Sequence, residues 1–306
     1  MFPINNGYYM LLNKQWGEIV RLGNFMFKYA SVLGIANKYN TPVCFPNNYM
    51  FNYFKNEIII DTGIEPDINI GERVHYYDPE LFEQFTNDFK TKNVNIMLNC
   101  FLQSPKYWER CEEYVIEMLK FKEFELDKIK IKYEIPLSKK TIGISIRRGD
   151  FIGHGYYWQI PTEFYLYALE KHFPDWLEYN IILFSDDPNW IRTTFNGDNI
   201  FYSNGDFLDT NYFNNPMEQL LYGSLCDNFI ISNSTFSWWL GYLATNCKKS
   251  GKVVHSGKNV TPLFDKQYQQ SNVNDYYHKN WIKSDFFDIE NSYDFKNLST
   301  NVLLKG

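Results

Sequence analysis

Apolar side chains recur at helical spacing from Leu22 to Lys38, through Phe25, Met26, Tyr29, Leu33 and Ala36, and that period predicts a helix. It follows Gly17 and precedes Pro42-Val43-Cys44-Phe45, a strand candidate, so the segment reads as a βα-type unit. Val94 to Leu98 is a second strand candidate, running through Phe101-Leu102-Gln103-Ser104 into a helix that starts near Pro105, a residue suited to a first helical turn. The charged run from Glu123 to Lys140 then breaks the pattern and marks a domain boundary.

Beyond that boundary, strands and helices alternate. Strands are expected at Thr141 to Arg147, Asn180 to Ser185, Ile200 to Ser203, Asn228 to Ser232 and Lys252 to His255. Helices are expected at Thr162 to His172, Pro188 to Phe195, Pro216 to Asp227 and Thr235 to about Asn246. Such alternation predicts a parallel sheet with helices on both faces, and ligands of such sheets sit beyond the carboxyl ends of the strands. The expected domains are 1–135 and 136–264, followed by a tail, 265–306, with little periodicity that packs back on a domain.

Composition adds bounds to this α/β reading. The 306 residues are 44% hydrophobic, enough for sizeable cores in two domains. Aromatics are abundant, with Phe 26, Tyr 24 and Trp 8, and the net charge is −6. A mildly acidic chain lacks the basic footprint that non-specific nucleic-acid binding requires. The cysteines, Cys44, Cys100, Cys111, Cys226 and Cys247, are odd in number and form no C-x-x-C pair, so neither a disulfide framework nor a structural zinc site is expected. No run of eighteen apolar residues and no signal-peptide pattern is found, and a reducing, cytoplasmic location is the expectation. Peripheral association with a membrane and the oligomeric state stay open. The sequons at Asn233, Asn259 and Asn297 carry no information in so Asn-rich a chain.

Candidate chemistry gathers at the carboxyl ends of the predicted strands. Ile144-Ser145-Ile146-Arg147-Arg148-Gly149-Asp150 delivers two arginines and an aspartate. Adjacent strand residues face opposite sides, so one arginine, taken as Arg147, clamps an anion while the other pairs with structure such as Asp150. A solvated turn is the plainer alternative. Ser232-Asn233-Ser234-Thr235-Phe236-Ser237 follows a strand and opens a helix, where backbone N–H groups and hydroxyls suit phosphate oxygens. An ordinary N-cap is the alternative there. Ser185-Asp186-Asp187-Pro188 also ends a strand, with carboxylates to bind a sugar or base, or to cap the next helix. In the first half, Gly23 permits close backbone approach and Asn24 offers an amide. Neither H-E-x-x-H, G-x-G-x-x-G, a phosphate-loop G-x-x-x-x-G-K nor G-x-S-x-G occurs, so no metal site or dinucleotide cofactor is expected. Trp238 and Trp239 enter the helix body and are assigned to the core.

Arg21-Leu22-Gly23-Asn24, Phe101 to Trp108, Ile144 to Asp150, Phe184 to Asp187 and Ser224 to Trp239, in that order, resemble the α-1,2-fucosyltransferases of glycosyltransferase family 11. The resemblance extends over roughly 16–283. It implies a GT-B fold, with two Rossmann-like domains facing across a cleft and GDP-fucose held mainly by the second. It further implies an inverting, metal-independent transfer of fucose to a glycan acceptor, most naturally an α-1,2 linkage to galactose. GDP-fucose is then a donor substrate, and no cofactor is required. The donor-binding set implied is Gly23, Asn24, Arg147, Ser185, Asp186, Glu218, Ser234, Thr235, Phe236 and Ser237. Arg147 contacts the diphosphate and Asn24 reaches the donor sugar. The catalytic candidates are Arg147, Asp150 and His154, the last two as alternatives for the base that deprotonates the acceptor. Tyr156, Tyr157 and Trp158 are candidates to stack on acceptor sugars.

The chain departs from its relatives at two positions that read the nucleotide base: Ser145 stands where they carry His, and Gln219 where they usually carry Asp, with Glu218 next door. Phe25 also replaces a Gln. Another nucleotide-sugar donor, or a silent glycan- or nucleotide-binding shell, are therefore the competing readings.

Overall fold

The computed structural model describes residues 10–12, 21–60, 63–71, 76–81, 94–203, 215–262 and 272–289. The chain forms two compact units, Met1–Lys122 with Asp265–His278, and Glu123–Phe264 with Lys279–Gly306. The division falls at Lys122/Glu123, and the tail expected as one piece is shared between the units. Of that tail, residues 265–271 and 290–306 lie outside the described residues, as does Gly17.

The first unit holds β1 (Met10–Leu12), α1 (Leu22–Tyr39), β2 (Val43–Cys44), β3 (Ile68–Gly71), β4 (Ile96–Asn99) and α2 (Glu112–Met118). Its strands are parallel, in the order β2-β1-β4-β3. Every residue of α1 from Phe25 to Ala36 is buried, so this is a central helix covered on all sides rather than an amphipathic surface helix. Asn40 ends it in the left-handed conformation, returning its N–H to the Ala36 and Asn37 carbonyls. Gly34 lets a neighbouring turn approach: a Cβ there would lie 2.5 Å from the Tyr107 carbonyl oxygen. The helix expected at Pro105 is a short 3-10 turn, Pro105–Tyr107, capped by Ser104; α2 begins only at Glu112.

The second unit holds α3 (Glu123–Lys132), β5 (Thr141–Ile146), α4 (Thr162–His172), β6 (Asn180–Ser185), α5 (Pro188–Thr194), β7 (Ile200–Tyr202), α6 (Pro216–Leu225), β8 (Asn228–Ile231), α7 (Thr235–Gly241), β9 (Val253–His255), β10 (Ile282–Lys283) and α8 (Phe286–Ile289). All six strands are parallel, in the order β10-β9-β8-β5-β6-β7. The chain enters at β5, moves outward through β6 and β7, then crosses back to β8 on the other side of β5. That reversal between β5 and β8 is the topological switch point of a doubly wound sheet, where the two flanking connections part and leave a crevice. β5 and β8 are buried at every residue, as expected of central strands covered on both faces. On one face Ile142, Ile144 and Ile146 of β5 meet Phe164 and Leu169 of α4, Leu183 and Val254. On the other, Gly143 leaves room for the Phe229 ring, which a Cβ would meet at 2.3 Å.

Helix α7 passes into a π turn at Tyr242–Asn246, so the expected helix to Asn246 is present but changes its winding. Trp238 and Trp239 are fully buried. Trp281 packs against Trp238 with ring centroids 4.8 Å apart and donates from Nε1 to Asn246 Oδ1 at 2.9 Å. This aromatic anchor delivers the tail to β10, a strand that the weak periodicity of the segment did not announce.

Candidate functional site

The candidate site of the second unit lies at the carboxyl ends of β5, β6 and β8. β5 stops at Ile146, so Arg147 and Arg148 leave the sheet and Gly149–Phe151 makes one 3-10 turn. That turn brings Asp150 back onto Arg147, as an i,i+3 ion pair. From β6, Asp186 Oδ2 reaches Arg147 Nη1 at 3.0 Å, while Oδ1 accepts the Arg148 backbone N–H at 2.8 Å. Arg147 is thus bracketed by two carboxylates, and its buried Nε meets no protein acceptor. The guanidinium is thus fixed in place and part-exposed at the strand end.

The two arginines do not divide as strand alternation predicts. Asp150 pairs with Arg147 itself and not with the second arginine. Arg148 instead donates from Nε to Asp187 Oδ2 at 3.2 Å and lies over the Trp190 ring, 3.9 Å from its centroid. The reason is local: both arginines lie past the last strand residue, so the alternation of a pleated strand no longer governs them.

Asp187 caps α5 through the Trp190 N–H, and its own N–H donates to Ser185 Oγ at 3.0 Å. Ser185 therefore shapes the turn, Asp187 both caps α5 and holds Arg148, and Asp186 holds Arg147 and the Arg148 backbone. Gly149 makes room for this arrangement: a Cβ there would fall 2.2 Å from Asp186 Oδ2.

Across the switch point, Ser234 caps α7 by accepting the Ser237 N–H at 3.1 Å. Ser237 Oγ is also the hub of a buried hydroxyl cluster, 2.6 Å from Ser145 Oγ, 2.7 Å from Ser232 Oγ and 2.9 Å from Ser234 Oγ. One donor and two acceptor lone pairs are all a hydroxyl has, so Ser237 is saturated by protein. The hydroxyls of Ser234 and Ser237 were expected to face phosphate, but they are turned into this cluster. The backbone groups of Thr235 and Phe236, in the first turn of α7, remain the donors suited to an anion there. Asn233, which the sequence reading left out of the site, donates from Nδ2 to the Trp158 and Asn259 carbonyls, both at 3.0 Å. It ties the connections after β5 and β9 beneath the α7 start. Its position directly after a central strand was the available signal.

The connection after β5 carries His154, Tyr156 and Tyr157. His154 Nδ1 accepts the Tyr156 N–H at 3.3 Å, and its ring packs on Tyr156 and Tyr157 with centroids 5.3 and 5.1 Å away. Tyr157 stacks on Phe151, 4.3 Å between centroids and 5° between planes.

At the start of α6, Glu218 Oε1 is held by Lys132 Nζ at 2.7 Å and by the Tyr133 hydroxyl at 2.8 Å. Burial and this acceptor push the Tyr133 phenol up, so it stays a donor. Gln219 Nε2 donates to the Ser203 carbonyl at 3.3 Å. Both side chains at this turn are engaged within the protein.

In the first unit, Gly23 and Asn24 occupy the first turn of α1. Asn24 Oδ1 accepts from Gln103 Nε2 at 3.2 Å. The segment after β4 is fastened to α1, with Lys28 Nζ donating to the Cys100 carbonyl at 2.5 Å and Ser31 Oγ to that of Leu102 at 2.8 Å. Leu102 is held at φ +54°, a conformation costly for a branched side chain. The Phe25 side chain is fully buried and packs on Phe51. Among the described residues, no group of three or more His, Cys, Asp or Glu side chains is placed to hold a metal ion.

The model of the glycosyl transferase family 11 matches residues 13–285. The chain belongs to this family. A relative, the O-antigen biosynthesis glycosyltransferase WbnK of Escherichia coli, is 27% identical to this family 11 chain over 55% of its length. The match spans 58% of WbnK. Among solved structures, POFUT1 in complex with GDP is similar with a TM-score of 0.53 over 81% of this chain and 98% of that one, at 11% identity. POFUT1 without ligand gives the same TM-score. At that identity the likeness is one of fold: the family 11 chain has the GT-B-type α/β fold, built on parallel sheets.

Proposed function

We propose that this family 11 protein is an inverting, metal-independent fucosyltransferase that moves fucose from GDP-fucose to a galactoside hydroxyl, forming an α-1,2 linkage. The observation that carries the reading is Arg147, bracketed by Asp150 and Asp186 where β5 leaves the sheet at the β5/β8 switch point. Family membership supplies the transfer chemistry, and POFUT1, a protein of the same fold, is described as a GDP complex.

In the proposed reaction an acceptor oxygen bonds to the anomeric carbon as the bond from that carbon to the diphosphate breaks. The bonding pair leaves with GDP, and the acceptor proton passes to a base. Negative charge grows on the departing diphosphate, where Arg147 and the Thr235 and Phe236 N–H groups stabilise it; such preorganised donors are commonly the largest catalytic contribution. Asp150 is favoured over His154 as the base. A carboxylate paired with Arg147 keeps further lone pairs, whereas a neutral His154 whose Nδ1 accepts the Tyr156 N–H carries its proton on Nε2.

A second reading keeps the fold and changes the donor base. It is favoured by Ser145, Glu218 and Gln219, whose side chains are all satisfied by protein partners. Calorimetric titration with GDP, UDP and ADP separates the two. Tighter binding of GDP than of UDP or ADP, with affinity for all three weakened in Arg147→Ala, supports the fucosyl reading, and binding without preference for GDP refutes it.

A further inference from the structure

Two arginines and three aspartates meet where β5 and β6 leave the sheet: Arg147 with Asp150 and Asp186, and Arg148 with Asp187. Two positive and three negative side chains leave this group with a surplus of one negative charge. A diphosphate brings more negative charge, and like charges at contact distance repel strongly in a partly desolvated site. Its seating on Arg147 therefore requires one carboxylate to give way.

The three aspartates differ in how firmly they are held. Asp186 ties Arg147 Nη1 at 3.0 Å to the Arg148 backbone N–H at 2.8 Å. Asp187 accepts the Trp190 N–H at 3.1 Å as the cap of α5, while its other oxygen holds Arg148 Nε at 3.2 Å. Swinging either one away would strip a backbone N–H of its acceptor. Asp150 lies on the 3-10 turn Gly149–Phe151 and is the most exposed of the three side chains, at 43% against 25% and 33%. A rotamer change, fast for an exposed side chain, carries its carboxylate into water. The turn need not move, because the Phe151 and Ile152 N–H groups fasten it to the Arg148 carbonyl at 2.8 and 2.9 Å.

Arg147 keeps its place without Asp150. Asp186 holds Nη1, and the guanidinium carbon lies 5.4 Å from the centroid of the Phe151 ring. What Asp150 vacates is Nη2, and an arginine fork takes carboxylate and phosphate oxygens with the same geometry.

We propose that Asp150 is an internal stand-in for a diphosphate, occupying Arg147 Nη2 until a ligand oxygen displaces it. The proposal rests on the reading that Arg147 receives a diphosphate, and not on which base or sugar that diphosphate carries.

Calorimetric titration with inorganic diphosphate, which has neither base nor sugar, tests it on the parent, Arg147→Ala, Asp150→Ala and Asp186→Ala. An ion pair at this exposure is worth a factor of about two to five. Asp150→Ala should bind diphosphate more tightly than the parent by about that factor, with its melting temperature unchanged, and Asp150→Ser, as a second variant, should do the same. Asp186→Ala removes the same charge from the same guanidinium, yet should bind more weakly, because Arg147 loses the anchor that fixes it. These opposite signs separate displacement from a general easing of negative potential. Equal tightening in Asp150→Ala and Asp186→Ala would overturn the proposal in favour of that field effect. Binding that depends on Arg147 but is unchanged or weakened in both Asp150 variants would overturn it while leaving the diphosphate reading in place. Failure of the parent to bind diphosphate, or equal binding by Arg147→Ala, would overturn the reading of Arg147 and this proposal with it.

Discussion

Asp186 holds Arg147 and the backbone of Arg148 at once, one carboxylate oxygen on each, at 3.0 and 2.8 Å. Through it the end of β6 fixes where the end of β5 presents its guanidinium. Replacing Asp186 by Ala therefore frees Arg147 to follow Asp150 alone. A misplaced charge-stabilising group costs on the order of 100-fold in rate. The expected outcome is a fall of about that size in kcat/KM for transfer, with melting temperature little changed because the pair is part-exposed. Unchanged kinetics would remove Asp186 from the account.

Gly149 supports the same relationship from the other side. A Cβ at 149 would fall 2.2 Å from Asp186 Oδ2, and the atom that must yield is the end of a side chain able to rotate. Gly149→Ala should thus cost little stability yet reproduce much of the Asp186→Ala defect. Activity of Gly149→Ala in the double variant with Asp186→Ala should be no lower than in Asp186→Ala alone, since the two act through one contact.

The contrast between Arg147 and the tail indicates what the sequence carried. The β5-to-β9 alternation was legible because buried parallel strands are short apolar runs separated by helices with Pro or Ser at their starts, as at Pro188, Pro216 and Ser234. Arg147 could be placed at a ligand-facing strand end, but its partners could not be, because the Asp150 and Asp186 contacts depend on a turn and on a neighbouring strand. β3 and β10 were illegible for a different reason. Ile68–Gly71 is four residues long with Asn and Gly among them, too short a run to stand out, and Ile282–Lys283 is only two residues long, so the pairing of the latter rests on the Trp281 anchor. The direction of the Ser234 and Ser237 hydroxyls was also beyond sequence, since an N-cap and a phosphate ligand use the same residues.

The serine cluster gives a separable test. Ser237→Ala leaves Ser145, Ser232 and Ser234 without their common partner, and one buried unsatisfied hydroxyl costs about 1–3 kcal/mol. Denaturant unfolding should register a loss within that range. Ser145→His must fit an imidazole where Ser237 Oγ now lies 2.6 Å away; overpacking costs typically about 1–3 kcal/mol. A neutral Ser145→His would indicate that the cluster is not packed as described.

His255, at the carboxyl end of β9, accepts the Gly257 N–H on Nδ1 at 3.0 Å. Burial, aided by Lys283, holds its imidazole down at about 3. The unfolded chain takes up a proton near the ordinary value of 6.5 while the folded chain does not. Stability is therefore complete above about pH 6.5 and falls as the pH drops towards 3, by up to about 1.4 kcal/mol per pH unit from this group. Urea midpoints measured between pH 7 and pH 4 should decline, and His255→Asn should flatten part of that decline. Identical slopes in the two proteins would contradict it.

The central claim is transfer of fucose from GDP-fucose at the Arg147 site. It is tested most directly by incubating the protein with GDP-fucose and a panel of β-galactosides and analysing products by mass and linkage. The account predicts a product one deoxyhexose heavier, α-linked at O2 of galactose, formed by the parent and not by Arg147→Ala. Absence of product with GDP-fucose, or equal transfer by Arg147→Ala, would contradict it.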